Sequence, residues 1–176
     1  MAERRTRADA VSNRARIVQV ARELLTSTSE LPMNAVAKAA GVGQGTLYRN
    51  FPTREALLAE VYKADVDVLV ASAPDLLAQH DAAAAFRLWL DNVADYARVK
   101  RGVLAALEGG ELAAGHHDPI AGAIDRLLAA GRDEGTLRAD VGAQDVLLLL
   151  GFLSRPEAAE RAHHVLDLIF NGLRVR

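Results

Sequence analysis

Apolar residues recur at helical spacing along most of the chain. In NRARIVQVARELLTST (13–28), Ile17, Val18, Ala21, Leu24 and Leu25 fall on one face of a helix, with Arg14, Arg16 and Arg22 mostly off it. STSELPMN (27–34) interrupts the pattern, and Pro32 suits the first turn of a second helix, where its missing N–H costs nothing. MNAVAKAA resumes the spacing through Met33, Val36, Ala37 and Ala40, and Gly41 stands where a helix ends. After a turn through Val42 and Gly43, QGTLYRNF gives two helical turns before Pro52 forbids continuation, with Leu47 and Phe51 on the inner side. Thr53 is a good N-cap for a fourth helix, expected to carry Leu57, Leu58, Val61 and Tyr62 on one side and to reach about Pro74. Further helices are expected at 81–98, 100–109, 118–134, 142–153 and 156–173, punctuated by glycines. No alternating strand pattern occurs, so the expected fold class is all-α.

Composition narrows the chemistry. The 176 residues allow one substantial core, or a small domain fused to a larger one. Half the chain is hydrophobic (51%) but only 5% is aromatic, as suits Ala- and Leu-rich helices. No cysteine is present, which removes disulfides, thiolate nucleophiles and Cys-type zinc sites. The longest apolar run, VLLLLGFL, is far shorter than the roughly 20 residues of a membrane span, and the basic N-terminus is followed by no apolar signal segment. A cytoplasmic protein with no membrane partner is expected.

Charge points to a partner for one end. Residues 1–54 carry nine Lys/Arg and four Asp/Glu, a net of +5, whereas 55–176 carry twelve and nineteen, a net of −7; together they give the overall −2. A surface facing a polyanion therefore belongs at the N-terminus. The leading ERRTR reads either as an arm assisting nucleic-acid binding or as a soluble tail.

The stretch AAGVGQGTLYRNF (39–51) decides between two uses of glycine. A dinucleotide-binding loop needs G-x-G-x-x-G directly after a strand; here Thr46 stands where the third glycine belongs, and the preceding residues favour helix. The phosphate-loop ending Gly-Lys-Ser/Thr is also absent. Helix, glycine-containing turn, short helix is instead the helix-turn-helix arrangement, whose second helix enters the major groove. With Leu47 and Phe51 inward, Gln44, Thr46, Tyr48, Arg49 and Asn50 face outward with side chains suited to base edges or phosphates.

The segment AVAKAAGVGQGTLYRNFPTREALLAEVY strongly resembles the DNA-binding part of TetR-type (TetR/AcrR) transcriptional regulators, the close match covering about residues 14–65. The resemblance implies a non-enzymatic, cofactor-free homodimer. Residues 1–60 would bind double-stranded DNA, with a basic arm, and 61–176 would bind a small-molecule inducer and dimerise. It implies that Gln44, Gly45, Thr46, Tyr48, Arg49 and Asn50 form the DNA-reading helix and that Arg54 contacts phosphate. Two departures stand out. Leu31, Pro32 and Met33 replace the family's usual Ser/Thr cap of the second helix, leaving Asn34 as the phosphate candidate there. Gln44 stands where Lys is common, which shifts base reading towards Gln44, Arg49 and Asn50 together.

Other clusters weigh less. His116, His117 and Asp118 are adjacent and do not converge as residues four apart would, and His163 and His164 share that defect. Glu108 and Glu111 lack a nameable acid, base or nucleophile partner. Tyr62, Phe86, Trp89 and Tyr96 either line a ligand cavity or pack a core. Leu147, Leu150, Phe152, Leu153, Val165, Leu168 and Ile169 exceed what one inner face accommodates, so they form a subunit interface or belong to a helix buried all round. The competing functional classes are a helical interaction module and an all-helical enzyme.

Overall fold

The computed structural model describes residues 2–27, 31–106 and 117–175. Its elements are α1 (Ala2–Ser27), α2 (Met33–Ala39), α3 (Gln44–Asn50), α4 (Arg54–Gln79), α5 (Ala82–Ala106), α6 (His117–Asp133), α7 (Ala143–Leu150) and α8 (Ala162–Leu173). The fold is all-α, and no helix among the described residues is long and apolar enough to cross a membrane. Two compact units emerge: one holds the residues up to Ala64 and the end of α5 from Gly102, the other Asp65–Arg101 and the residues from α6 onward.

In the N-terminal unit the apolar stripe becomes the core. Ile17, Ala21 and Leu25 of α1, Val36 and Ala37 of α2, Leu47 of α3 and Leu57, Leu58 and Val61 of α4 are all buried. The backbone of the basic N-terminal segment is helical, α1 beginning at Ala2.

Three expectations about where helices stop are corrected. Pro74 lies inside α4, which runs on to Gln79. A proline within a helix costs about 3 kcal/mol, but Leu69 and Ala73 on the same helix are buried, and that packing holds it. The expected break near residue 99 is absent, since α5 continues through Gly102. An interior glycine costs only about 1 kcal/mol relative to alanine, and Val99 and Val103 on either side of it are buried. Towards the C-terminus the opposite happens. α7 gives way after Leu150 to a 3₁₀ turn, Gly151–Ser154, and a second 3₁₀ segment, Pro156–Arg161, precedes α8. Arg155 is extended (φ −85°, ψ 136°), as a residue before proline must be.

The second unit is tied together by polar contacts. Trp89, fully buried, donates its indole N–H to the Leu69 carbonyl at 3.0 Å and meets Phe86 at 6.1 Å between ring centroids. Arg87 of α5 pairs with Asp91 (2.7 Å) and with Asp167 of α8. After α6, Gly135 takes a left-handed φ of +68°, and the chain Thr136–Arg138 exchanges backbone bonds with Leu173–Val175: Arg138 N–H to Leu173 O at 2.9 Å and Val175 N–H to Thr136 O at 3.0 Å.

Candidate nucleic-acid interface

The turn between α2 and α3 uses its glycines unequally. Gly41 has φ +64°, and around it Gly41 N–H bonds to Lys38 O (3.2 Å) and Val42 N–H to Ala37 O (3.0 Å). These are the two bonds of a Schellman ending, which glycine supports without a Cβ clash. Gly43 is extended (φ −69°, ψ 150°) and serves as N-cap of α3; its carbonyl accepts Thr46 N–H (2.9 Å) and Leu47 N–H (3.0 Å). No strand precedes the loop, so it is a helix-to-helix turn and not a nucleotide cradle. α2 lacks a side-chain cap, as its Leu-Pro-Met entry foretells; the Pro32 carbonyl receives Ala35 N–H (3.0 Å) and Val36 N–H (3.1 Å) instead.

α3 presents two faces. Leu47 and Phe51 have 0% and 1% of their surface exposed, while Gln44, Gly45, Tyr48 and Arg49 are exposed and Thr46 and Asn50 half-buried. Tyr48 keeps 47% of its surface in solvent, an outlay of apolar area that the fold itself does not require. Arg49 folds back along the helix, donating Nε–H to Gly45 O and Nη2–H to Thr46 Oγ1, both at 3.1 Å. That leaves three of the guanidinium's five N–H groups for an external acceptor. Asn50 bonds along its own helix. Its Nδ2 donates to Thr46 O at 2.8 Å, so the amide is turned onto its own helix and presents less than a free base reader would.

The flanking positions are ordered by the helix starts. Thr53 Oγ1 accepts Ala56 N–H at 3.1 Å, the expected N-cap, and this makes Arg54 the first residue of α4, half-buried shortly after the end of α3. Asn34 is exposed near the start of α2, with its Oδ1 accepting Ala35 N–H at 2.8 Å.

One residue has a role that its sequence position does not announce. Arg14 of α1 lies with its guanidinium 4.3 Å from the Phe51 ring centroid, donates Nη1–H to Asn50 O at 2.9 Å and pairs through Nη2 with Glu60 of α4 at 2.8 Å. Its position off the apolar face is the only sequence signal.

The remaining candidates separate. Tyr62 is buried in the N-terminal unit; Phe86 and Trp89 are fully buried in the other, and Tyr96 is half-buried. Phe86 and Trp89 thus spend their surface on packing. Of the residues expected at a subunit interface, Leu150 at the end of α7 and Leu153 in the 3₁₀ turn are buried within the chain itself. Leu147, Phe152, Val165 and Ile169 are half-buried and Leu168 is exposed, and Leu148 and Leu149 join it as exposed leucines. His163 Nδ1 lies 3.3 Å from Asp91 Oδ1. His117 and Asp118 begin α6, and Glu108, Glu111 and His116 lie outside the described residues.

Comparison with known proteins agrees with this geometry. Residues 17–61 match the family described as bacterial regulatory proteins, tetR family, and residues 81–175 match the transcriptional regulator SbtR-like C-terminal domain. The solved structure of a TetR transcriptional regulator from Streptomyces coelicolor is 37% identical, with a TM-score of 0.77 over 92% of this chain and 98% of that one. A TetR regulatory protein from Mycobacterium vanbaalenii is 35% identical, with a TM-score of 0.79 over 97% and 99%. An HTH-type transcriptional regulator of Staphylococcus aureus shares 38% identity over 66 residues; that match spans 36% of each chain. The second family match alone spans more than half of the sequence, and the chain belongs to the TetR family of helix-turn-helix transcriptional regulators.

Proposed function

We propose that this regulator is a homodimeric repressor that holds a pseudo-palindromic operator through α3 of each subunit and lets go when a small molecule binds its C-terminal domain. In this reading residues 1–60 form the DNA-binding domain and 61–176 the ligand-binding and dimerisation domain. The observation that carries it is the two-faced α3: Leu47 and Phe51 sealed within, Gln44, Tyr48 and Arg49 open to solvent. Arg49 and Gln44 suit guanine and adenine edges, and Tyr48, Arg54 and Asn34 suit phosphate oxygens. Two-fold symmetry places the reading helices about one DNA turn, or roughly 34–36 Å, apart.

The subunit contact follows from apolar exposure. Leu148 is 81% exposed and Leu168 58%, more than a solitary chain gains from. A second copy laid across α7 and α8 covers them, with Leu147, Phe152, Val165 and Ile169 at its margin. A ligand changes operator affinity only if it prefers one dimer conformation. Tyr96, half-buried on the same helix as the fully packed Phe86 and Trp89, is the aromatic that meets a ligand first. Phe86 and Trp89 join in as α5 repacks.

The test is a gel shift on the DNA upstream of the regulator's own gene, across a salt series. Arg54→Ala is expected to weaken all duplexes alike and to reduce the salt slope by about one. Gln44→Ala is expected to change the preferred bases; equal loss on every sequence contradicts its reading role.

Gly45 gives a second check. A Cβ at this exposed helical position would meet nothing within 4 Å beyond its chain neighbours and its own helix backbone, so the fold itself would gain up to about 0.5–1 kcal/mol from alanine. The empty space is where a duplex backbone comes close. Gly45→Ala is therefore expected to raise the melting temperature while weakening operator binding; tighter binding in the variant contradicts that approach.

A further inference from the structure

The end of a seven-residue helix is poorly held by the helix itself. The last carbonyls of α3 have no partner within the helix, and its negative end favours a nearby cation. Arg14 answers both needs at once, from a different helix. Its ring-facing surface lies over Phe51 at 4.3 Å, Nη1–H reaches Asn50 O at 2.9 Å, and Nη2 meets the Glu60 carboxylate at 2.8 Å. A flat ion with separate N–H groups makes the three contacts together; an ammonium has the charge but neither the plane nor the fork.

We propose that Arg14, kept in place by Glu60, is a positioning residue for DNA recognition that fixes the direction of α3 through its last carbonyl and Phe51. The inference rests on α3 being the reading element. Nothing in it requires Arg14 to touch DNA. Two of its five N–H groups are engaged by Asn50 O and Glu60, and the Glu60 carboxylate repels a phosphate placed alongside.

Removing each partner separates this role from a direct phosphate contact, since Glu60→Gln deletes a negative charge from the DNA-binding unit. On charge alone that change tightens binding to every duplex. As a positioning defect it lowers the ratio of operator to unrelated-duplex affinity by roughly tenfold. Arg14→Lys is expected to lower the ratio similarly although the charge is kept. In Arg14→Gln the salt slope is expected to stay at the wild-type value, whereas a residue that binds phosphate directly takes about one unit of slope with it when removed. The double variant Arg14→Gln/Glu60→Gln is expected to bind little worse than either single one, because the two act as a pair. The measurements are salt-series gel shifts with the full-length protein, well below each variant's melting temperature. Full rescue by lysine, tighter binding in Glu60→Gln, or a reduced slope in Arg14→Gln overturns the proposal. A wild-type protein with no salt-dependent duplex binding overturns the DNA reading of α3 as well, which is a different result from wild-type binding with unaffected variants.

Discussion

Phe51→Ala is expected to remove about 3–5 kcal/mol from the N-terminal unit and to abolish operator binding. α3 has seven residues, well below the roughly 12–15 at which a helix becomes marginal in water by itself. It persists because Leu47 and Phe51 sink into the core with 0% and 1% exposure and because Arg14 covers the Phe51 ring. Alanine leaves a cavity beneath the helix end and deprives the guanidinium of its platform. Phe51→Leu fills most of the same volume and is expected to cost less, about 1.5 kcal/mol or under, although leucine offers Arg14 no aromatic face to stack on. Denaturant melts followed by gel shifts on the upstream fragment read both effects. A Phe51→Ala protein that melts and binds as the wild type would mean that α3 is held by something other than this packing.

The helix-turn-helix is legible in the sequence because its signals are local. Gly41 needs a left-handed φ, Pro52 stops α3 and Thr53 caps α4, and each acts within a few residues. Pro74 and Gly102 mislead for the complementary reason: their costs are local, but the burial of Leu69, Ala73, Val99 and Val103 that outweighs them depends on residues far along the chain. Arg14 is invisible as a clamp because an arginine off the apolar stripe looks solvated, and one of its partners is a backbone carbonyl that carries no residue signature. Asn50 illustrates the limit from the other side. The same amide suits a base edge or its own helix, and only coordinates distinguish them. Leu150 and Leu153 are indistinguishable from Leu148 by type in a run of leucines. Within α7, Leu150 shares the buried side with Ala143 and Val146 while Leu148 faces out, and Leu153 is buried from the 3₁₀ turn that follows.

Placing glutamates at Leu148 and Leu168 together is expected to leave the folded chain nearly as stable as before and to destroy the dimer. At 81% and 58% exposure neither side chain contributes much to its own subunit, and surface substitutions of this kind change stability by about 0.5 kcal/mol or less. In a two-fold contact every substitution appears twice, so the double variant brings four carboxylates into an apolar patch where charge burial is costly without partners. Without the dimer each half-site is bound alone, and the gain from linking two sites, on the order of 10²–10⁴ in apparent affinity, disappears. Sedimentation should show a monomer with an unchanged melting profile, and the operator complex should weaken to the level of a single half-site. A double variant that still sediments as a dimer places the subunit contact elsewhere on the molecule; one that becomes monomeric yet holds the operator undiminished refutes the paired-helix reading of the half-sites.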